Sequence, residues 1–477
     1  MVKKMTSTKK NFVYNSVYQM LSIAIPLIVT PYISRVLGAE EIGVYSYANA
    51  VAYYFVIFII LGLNNYGNRT IAFVRDDRAK LSKVFSEIYT MQALISILVV
   101  FLYIIYAIFL SNNLITWIML IYVVSAAFDI NWLFFGLEKF KFTVLRSSIV
   151  KIASMLFIFL FVKSENDVLI YALINVLAAL VSQLILWFYV KKEVELRRVT
   201  IKSAAKHLKP NLALFIPIIA ISLYKMMDKI MLGNLSNLEQ VGFYESTEKF
   251  IQVPLALITA LGVVMLPKIS NLVAKNNHTE SKKYIEKSLY FAMFMSSVIC
   301  FGIMAVAQDF VPWYYGPGFD SCIMLLQILM PSCIFLAVAN VIRTQHLIPY
   351  KHDKIFIYSV IVGAIINLVV NLILIPHFQA SGAAIGTLLA EAGVCLIQMV
   401  LVKKYLNVWS TVFKSMVYLV IGVLMFLLLT LIPDINNINL INMIYKVVIG
   451  GTVYLLLSLP FLRAQKLLPE FRRTRRK

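Results

Sequence analysis

Residues 75–113 read RDDRAKLSKVFSEIYTMQALISILVVFLYIIYAIFLSNN: a basic gap, an apolar stretch, then three uncharged residues before apolar sequence resumes. About 20 apolar residues are enough to cross the hydrocarbon core of a bilayer. The change from basic to uncharged flanks assigns the two ends to opposite sides. Working outward in both directions, the same unit repeats. Fourteen such runs lie between Asn11 and Leu462, and Lys and Arg gather in every second gap. The basic gaps hold Lys3 to Lys10, Arg69 to Lys83, Lys139 to Arg146, Lys191 to Lys209, Lys268 to Lys287, Arg343 to Lys354, Lys403 to Lys414, and the tail from Arg463. The alternate gaps hold only Arg35 and Lys163. The expected fold is an all-α polytopic membrane protein of about 14 transmembrane helices with both termini cytoplasmic.

Composition points the same way. With 61% hydrophobic and 14% charged residues, the chain lies outside the range of soluble domains. Its net charge of +21 sits in short loops, where anionic lipid headgroups meet it; nucleic acid is excluded as a partner. Cys300, Cys322, Cys333 and Cys395 lie in or at the ends of apolar runs without metal-like spacing, so inert packing is expected and disulfides are not. The first run is too long for a signal peptide and ends in Pro-Tyr-Ile-Ser-Arg without a cleavage site, as a retained signal-anchor helix does. Trp117, Trp132 and the tyrosines near span ends read as an interfacial belt.

The outward loops, such as Ser111 to Asn113 and Asn234 to Glu239, are too short to build a domain. The longer cytoplasmic gaps read as amphipathic or irregular connectors. Function must therefore reside within the bilayer, as transport or as intramembrane catalysis. For catalysis the sequence offers only the acid pair Asp76-Asp77 in Arg-Asp-Asp-Arg. That pair could hold magnesium, but self-pairing in a solvated loop fits it better. No catalytic residue, metal site or cofactor is expected.

A duplication organises the helices. The first ends in Arg-Val-Leu-Gly at Gly38 and the second opens Ile-Gly-Val-Tyr at Ile42; the seventh ends in Ile-Met-Leu-Gly at Gly233 and the eighth opens Val-Gly-Phe-Tyr at Val241. Both first helices carry internal prolines, Pro26 and Pro31 in one and Pro217 in the other, which loosen the backbone ladder at membrane depth. Both copies start on the same side, so the repeat is parallel, about an axis along the membrane normal. The expected organisation is an N-lobe over 1–190, a basic linker over 191–209, a C-lobe over 210–404, two further helices over 405–462 and a basic tail over 463–477.

Ionisable groups at membrane depth are costly and mark candidate sites. Lys225, Asp228 and Lys229 fall at helical spacing in the seventh helix, and Glu245, Glu248 and Lys249 do so in the eighth. Two readings stand, and they can coexist: an ion-pair network that staples the hairpin, and a hydrated cavity whose cations engage an anionic substrate while Asp228, Glu245 and Glu248 supply counter-ions or a coupling-ion site. Asn15, Gln19, Ser22 and Pro26 form a polar stripe on the first helix, with Asn49 available from the second. Arg35 and Arg69 lie near opposite ends of that helix pair. Asp129, Lys151, Glu391 and Lys446 stand isolated, the two lysines free to snorkel or pair.

Pro-Tyr-Ile-Ser-Arg-Val-Leu-Gly (Pro31 to Gly38), Trp-Leu-Phe-Phe-Gly-Leu-Glu-Lys-Phe (Trp132 to Phe140) and the stretch from Gly363 to Thr387 together resemble the Wzx-type bacterial polysaccharide flippases of the multidrug, oligosaccharidyl-lipid and polysaccharide exporter superfamily. The resemblance implies two six-helix lobes around a V-shaped cavity and alternating access. It implies movement of an undecaprenyl-diphosphate-linked oligosaccharide to the outer leaflet of the bacterial cytoplasmic membrane, with membrane lipids, a polysaccharide polymerase and glycosyltransferases as partners. It would give diphosphate contact to Arg35, Arg69, Lys225, Lys229 and Lys249, and the prenyl tail to the last two helices. The charge-balanced triads depart from a purely cationic trap and leave room for proton or sodium coupling. A cation-coupled drug exporter would carry a carboxylate deep in helix one or two, where this chain has none.

Overall fold

The computed structural model describes residues 2–465 and 467, with side chains from Gln19 onward except at 217, 220 and 223–225. The described chain is helical almost throughout, and its helices fall into two compact units, Met1–Glu245 and Ser246–Lys477. The first unit is built from α1 (Val2–Ile60), α2 (Leu63–Val74), α3 (Arg78–Tyr106), α4 (Leu114–Ala127), α5 (Asn131–Gly136), α6 (Phe140–Phe161), α7 (Val168–Glu193), α8 (Ile201–Ala205) and α9 (Leu208–Leu235). Then α10 (Leu238–Ala274) runs from the first unit into the second. The remainder is α11 (His278–Tyr314), α12 (Ser321–Leu329), α13 (Ser332–Ile342), α14 (Asp353–Val402), α15 (Val408–Leu431) and α16 (Asn439–Ala464). Among the described residues, eleven helical stretches are long and apolar enough to span a membrane.

Two of those stretches, of 56 and 50 residues, exceed one crossing at the helical rise. Each is broken where the backbone leaves helical geometry. Gly38 has φ 76° and ψ 176° inside α1, a region a side chain rarely enters, and it falls where the sequence places the end of the first helix. Gln379 has φ 50° and ψ −129° inside α14, beside the Pro376 to Ser381 gap. Leu61 and Gly62 separate α1 from α2.

In the first unit α1 packs on α4 and α6, α4 on α7, and α2 on α5. Its centre is Trp132, which is fully buried, so this indole does not belong to an interfacial belt as its place in the sequence suggested. Gly67 makes the space, since a Cβ there would lie 2.9 Å from the indole ring. The ring N–H donates to Oε1 of Gln92 at 3.1 Å. Trp117, by contrast, remains 36% exposed, as a belt residue would be. The basic linker docks on α3: the Glu195 and Arg197 amides donate to the Ser82 and Ser86 hydroxyls, and His207 lies 3.2 Å from Glu87. In the second unit α11 runs along α13, α15 and α16. All four cysteines are buried, and none of them forms a disulfide.

Asp77 caps the start of α3 by accepting from the Ala79 and Lys80 amides, and Lys80 lies 3.3 Å away. These hydrogen bonds, that from Lys80 foremost, hold its carboxyl below the usual carboxylate range. The stabilisation is present at neutral pH and lost as pH falls through that lowered value. Asp77 of the acid pair thus serves a helix end.

Candidate functional site

The two charge triads lie on α9 and α10 as their spacing required. Lys229 and Glu245 are both buried, with Nζ and Oε2 2.5 Å apart. One residue earlier on each helix, the Tyr244 hydroxyl donates to Oδ2 of Asp228 at 2.6 Å. Asp228 is 1% exposed. Consecutive residues on α9 thus bind consecutive residues on α10, a two-point staple across the hairpin. Glu248 and Lys249 follow on α10, half-buried. The side chains of Lys225 and Asn15 lie outside the described residues.

Arg35 is exposed near the end of the first arm of α1, its guanidinium donating to the Pro31 carbonyl at 2.7 Å. Arg69 is exposed on α2, Gln19 is exposed and Asn49 is half-buried. Within the polar stripe of α1, the Ser22 hydroxyl accepts from Lys151 Nζ at 2.9 Å. Lys446 also pairs, to Asp309 at 2.8 Å and Asp434 at 2.7 Å. Both lysines that stood isolated in the sequence have a partner more than a hundred residues away, and Lys446 has a second, Asp434, twelve residues away.

Two cavities were not foreseen. A polar chamber of about 610 Å³ opens in the first unit between α2, α6 and α7. One face of α6 carries Thr143, Ser147, Lys151 and Ser154, and one face of α7 carries Asn175, Ser182 and Gln183; intervals of three and four on α6, and of seven and eight from Asn175 on α7, put each set on one side of its helix. That spacing is visible in the sequence, but no charge triad like those of α9 and α10 accompanies it. The second cavity is a groove of about 350 Å³ in the second unit. It is lined by Phe250, Leu257 and Ile303 together with Met425 of α15 and Val447 of α16, with Lys446 as its charged member. Gly302 and Gly451 hold it open: a Cβ at Gly451 would meet nothing within 4 Å, and one at Gly302 only the Met425 methyl at 3.8 Å.

The second arm of α1 and the start of α10 touch backbone to backbone. A Cβ on Gly43 would fall 1.6 Å from the Leu238 carbonyl oxygen, and one on Gly242 would fall 1.8 Å from that of Ala39. Residues 199 apart exchange roles across this contact, and they belong to the two halves of the duplicated motif.

A helical bundle with buried ion pairs, a polar chamber and an apolar groove defines a polytopic membrane protein of transporter architecture. Its fold is similar to that of the lipid II flippase MurJ in an inward closed conformation, with a TM-score of 0.73 at 17% identity over 95% of this chain and 99% of that one. It is also similar, at 0.61 and 11% identity over 84% and 98%, to an inward-facing multidrug resistance MATE family transporter of the MOP superfamily. The profile of the polysaccharide biosynthesis protein family matches residues 8–273; the chain belongs to that family. A protein of Escherichia coli (strain K12) named as a candidate O-antigen transporter is 27% identical over 404 residues, 83% of this chain and 97% of that one. The lipid II flippase MurJ of Bacillus subtilis (strain 168) is 23% identical over 163 residues, 33% of this chain and 29% of that one. The likeness to Wzx-type flippases read from Pro31 to Gly38 and Trp132 to Phe140 agrees with this family.

Proposed function

We propose that the protein is a flippase, not an enzyme, and that it carries an undecaprenyl-diphosphate-linked oligosaccharide from the inner to the outer leaflet of the bacterial cytoplasmic membrane by alternating access. Both termini are then cytoplasmic, as the basic gaps require. Fourteen crossings result when the two broken stretches count twice among the eleven and α9 is added. The lobes of the duplication are 1–190 and 210–404, and the exchange of partners between Gly43 and Gly242 supports a two-fold relation within it. The observation that carries the reading is the apolar groove that α10 and α11 form with α15 and α16, the last two of which lie outside the duplicated twelve. A long isoprenoid needs such a surface while its headgroup crosses in water.

Arg35, Arg69 and Lys249 are the headgroup cations, Lys225 joins them by its place on α9, and Gln19, Asn15 and Asn49 hydrate the path. Lys229 is bound to Glu245 in this conformation, and Asp228 and Glu248 are the coupling or counter-ion carboxylates. Two negative charges leaving an inside-negative face gain about 4–5 kcal/mol per 100 mV, so the membrane potential favours outward movement. The polymerase and glycosyltransferases of the same assembly line consume and supply the glycan.

The test is flipping of a labelled lipid-linked oligosaccharide by reconstituted vesicles. Neutralising Arg35, Arg69 and Lys249 together should slow it by at least about tenfold, the loss of one to two charge-assisted hydrogen bonds. An unchanged rate removes the headgroup assignment. Gly302→Trp fills the groove and should slow substrates with a full-length prenyl chain more than those with a short one. Equal slowing of both places the tail elsewhere. A cation-coupled drug exporter shares the fold, and dye efflux without glycan flipping in the same vesicles would select it.

A further inference from the structure

The polar chamber of the first unit is the feature that headgroup and tail leave unused. Its volume of about 610 Å³ lies within the roughly 300–1,000 Å³ of small-molecule sites. Polar stripes that serve only to join helices close on one another, whereas here Ala178, Ala179 and Ser182 keep the α7 wall low and the space open. Buried groups fix that wall. The Arg146 guanidinium donates to the Ser182 carbonyl at 2.5 Å, to Gln183 Oε1 at 3.2 Å and to Asn131 Oδ1 at 3.1 Å. Asp129 accepts from the Asn131 amide nitrogens at 2.9 and 2.7 Å.

The chemistry of the lining selects its ligand. A diphosphate would need an open guanidinium fork, and that of Arg146 is committed to protein acceptors. A drug-like cation would need a wall of net negative charge, and the chamber carries two cations, Arg146 and Lys151, against one carboxylate, Asp129. What remains is a wall of amides and hydroxyls, groups that both donate and accept, with the rings of Phe135 and Phe140 stacked 5.6 Å apart at its edge. Sugar hydroxyls match the first, and the C–H face of a pyranose matches the second. We infer that this chamber reads the glycan, binding neutral or acidic pyranose rings of the lipid-linked oligosaccharide beyond its first sugar. The assignment rests on the flippase reading and names the part of the substrate that confers specificity.

The experiment compares two probes in reconstituted vesicles: lipid-linked oligosaccharide extracted from the source cells, and the same lipid trimmed to its first sugar. Ala178→Phe, which fills the chamber, and Gln183→Leu, which removes a lining amide, should lower the ratio of full-length to trimmed flipping by at least about tenfold. The folded fraction cancels in that ratio. A ratio within about twofold of the wild type overturns the inference. A separate arm uses Ser147→Cys, whose thiol should react with a water-soluble maleimide, while the four buried native cysteines stay silent, and should be protected by the free oligosaccharide. A thiol that does not react, or reacts equally fast with sugar present, also overturns it. If the wild type moves neither probe the flippase reading fails, and protection of the Ser147→Cys thiol then decides the chamber's ligand by itself.

Discussion

Replacing Lys229 by methionine is expected to destabilise the protein by about 3–5 kcal/mol, because it removes the cation 2.5 Å from the buried Glu245 carboxylate. The double variant Lys229→Met with Glu245→Met should regain most of that loss. An apolar pair of similar volume in place of a buried ion pair is often neutral or stabilising. Thermal unfolding in detergent reads both effects. The second tie, Tyr244 to Asp228, stays in place in each variant, so the hairpin keeps its register and only the ion pair is varied. On the reading that Lys229 holds the hairpin through Glu245, the double variant should flip lipid-linked glycan, per folded molecule, at close to the wild-type rate. A double variant as unstable as the single one would mean that the pair does more than neutralise itself. A double variant that folds but does not flip would return Lys229 to the headgroup cations.

The membrane architecture was legible because its cause is local: span length and loop charge are read one segment at a time. The breaks were legible for a similar reason. Gly38 ends the first arm of α1 with a backbone conformation suited to glycine, and the acidic gap after it marks the restart. What the sequence concealed was pairing at a distance. Lys151 and Lys446 each stand alone on an apolar helix, and nothing near them in the chain announces Ser22 or Asp309. Trp132 was misread because a tryptophan near a span end has two possible destinations. Gly67, which opens the buried one, lies on another helix. The chamber was hidden in the same way, since the stripes on α6 and α7 are each modest and only their apposition encloses a volume. The helical spacing of the α9 and α10 triads was legible in the sequence, whereas the 2.5 Å approach of Lys229 to Glu245 was visible only in the fold.

Gly43→Leu should cost flipping about a hundredfold, the equivalent of roughly 3 kcal/mol, by forcing apart the helices that meet at Gly242. The estimate lies at the upper end of overpacking penalties, which are commonly about 1–3 kcal/mol, because of what the new side chain would strike. Its Cβ would lie 1.6 Å from a backbone oxygen; a side chain could turn aside, but the main chain of α10 must move as a body. Gly242→Leu meets the Ala39 carbonyl in the same way, so the two variants should behave alike, which independent surface positions would not. Under the proposed alternating access, this crossing forms in one state and parts in another. A residue that forbids it should therefore hold the transporter in the parted state. Spin labels at the exposed positions Glu40 and Glu239, which flank the crossing, would register that shift as a longer distance in Gly43→Leu than in the wild type. A distance distribution and flipping rate both within about twofold of wild type would show that the glycines serve packing only, and that the helices pass one another without gating.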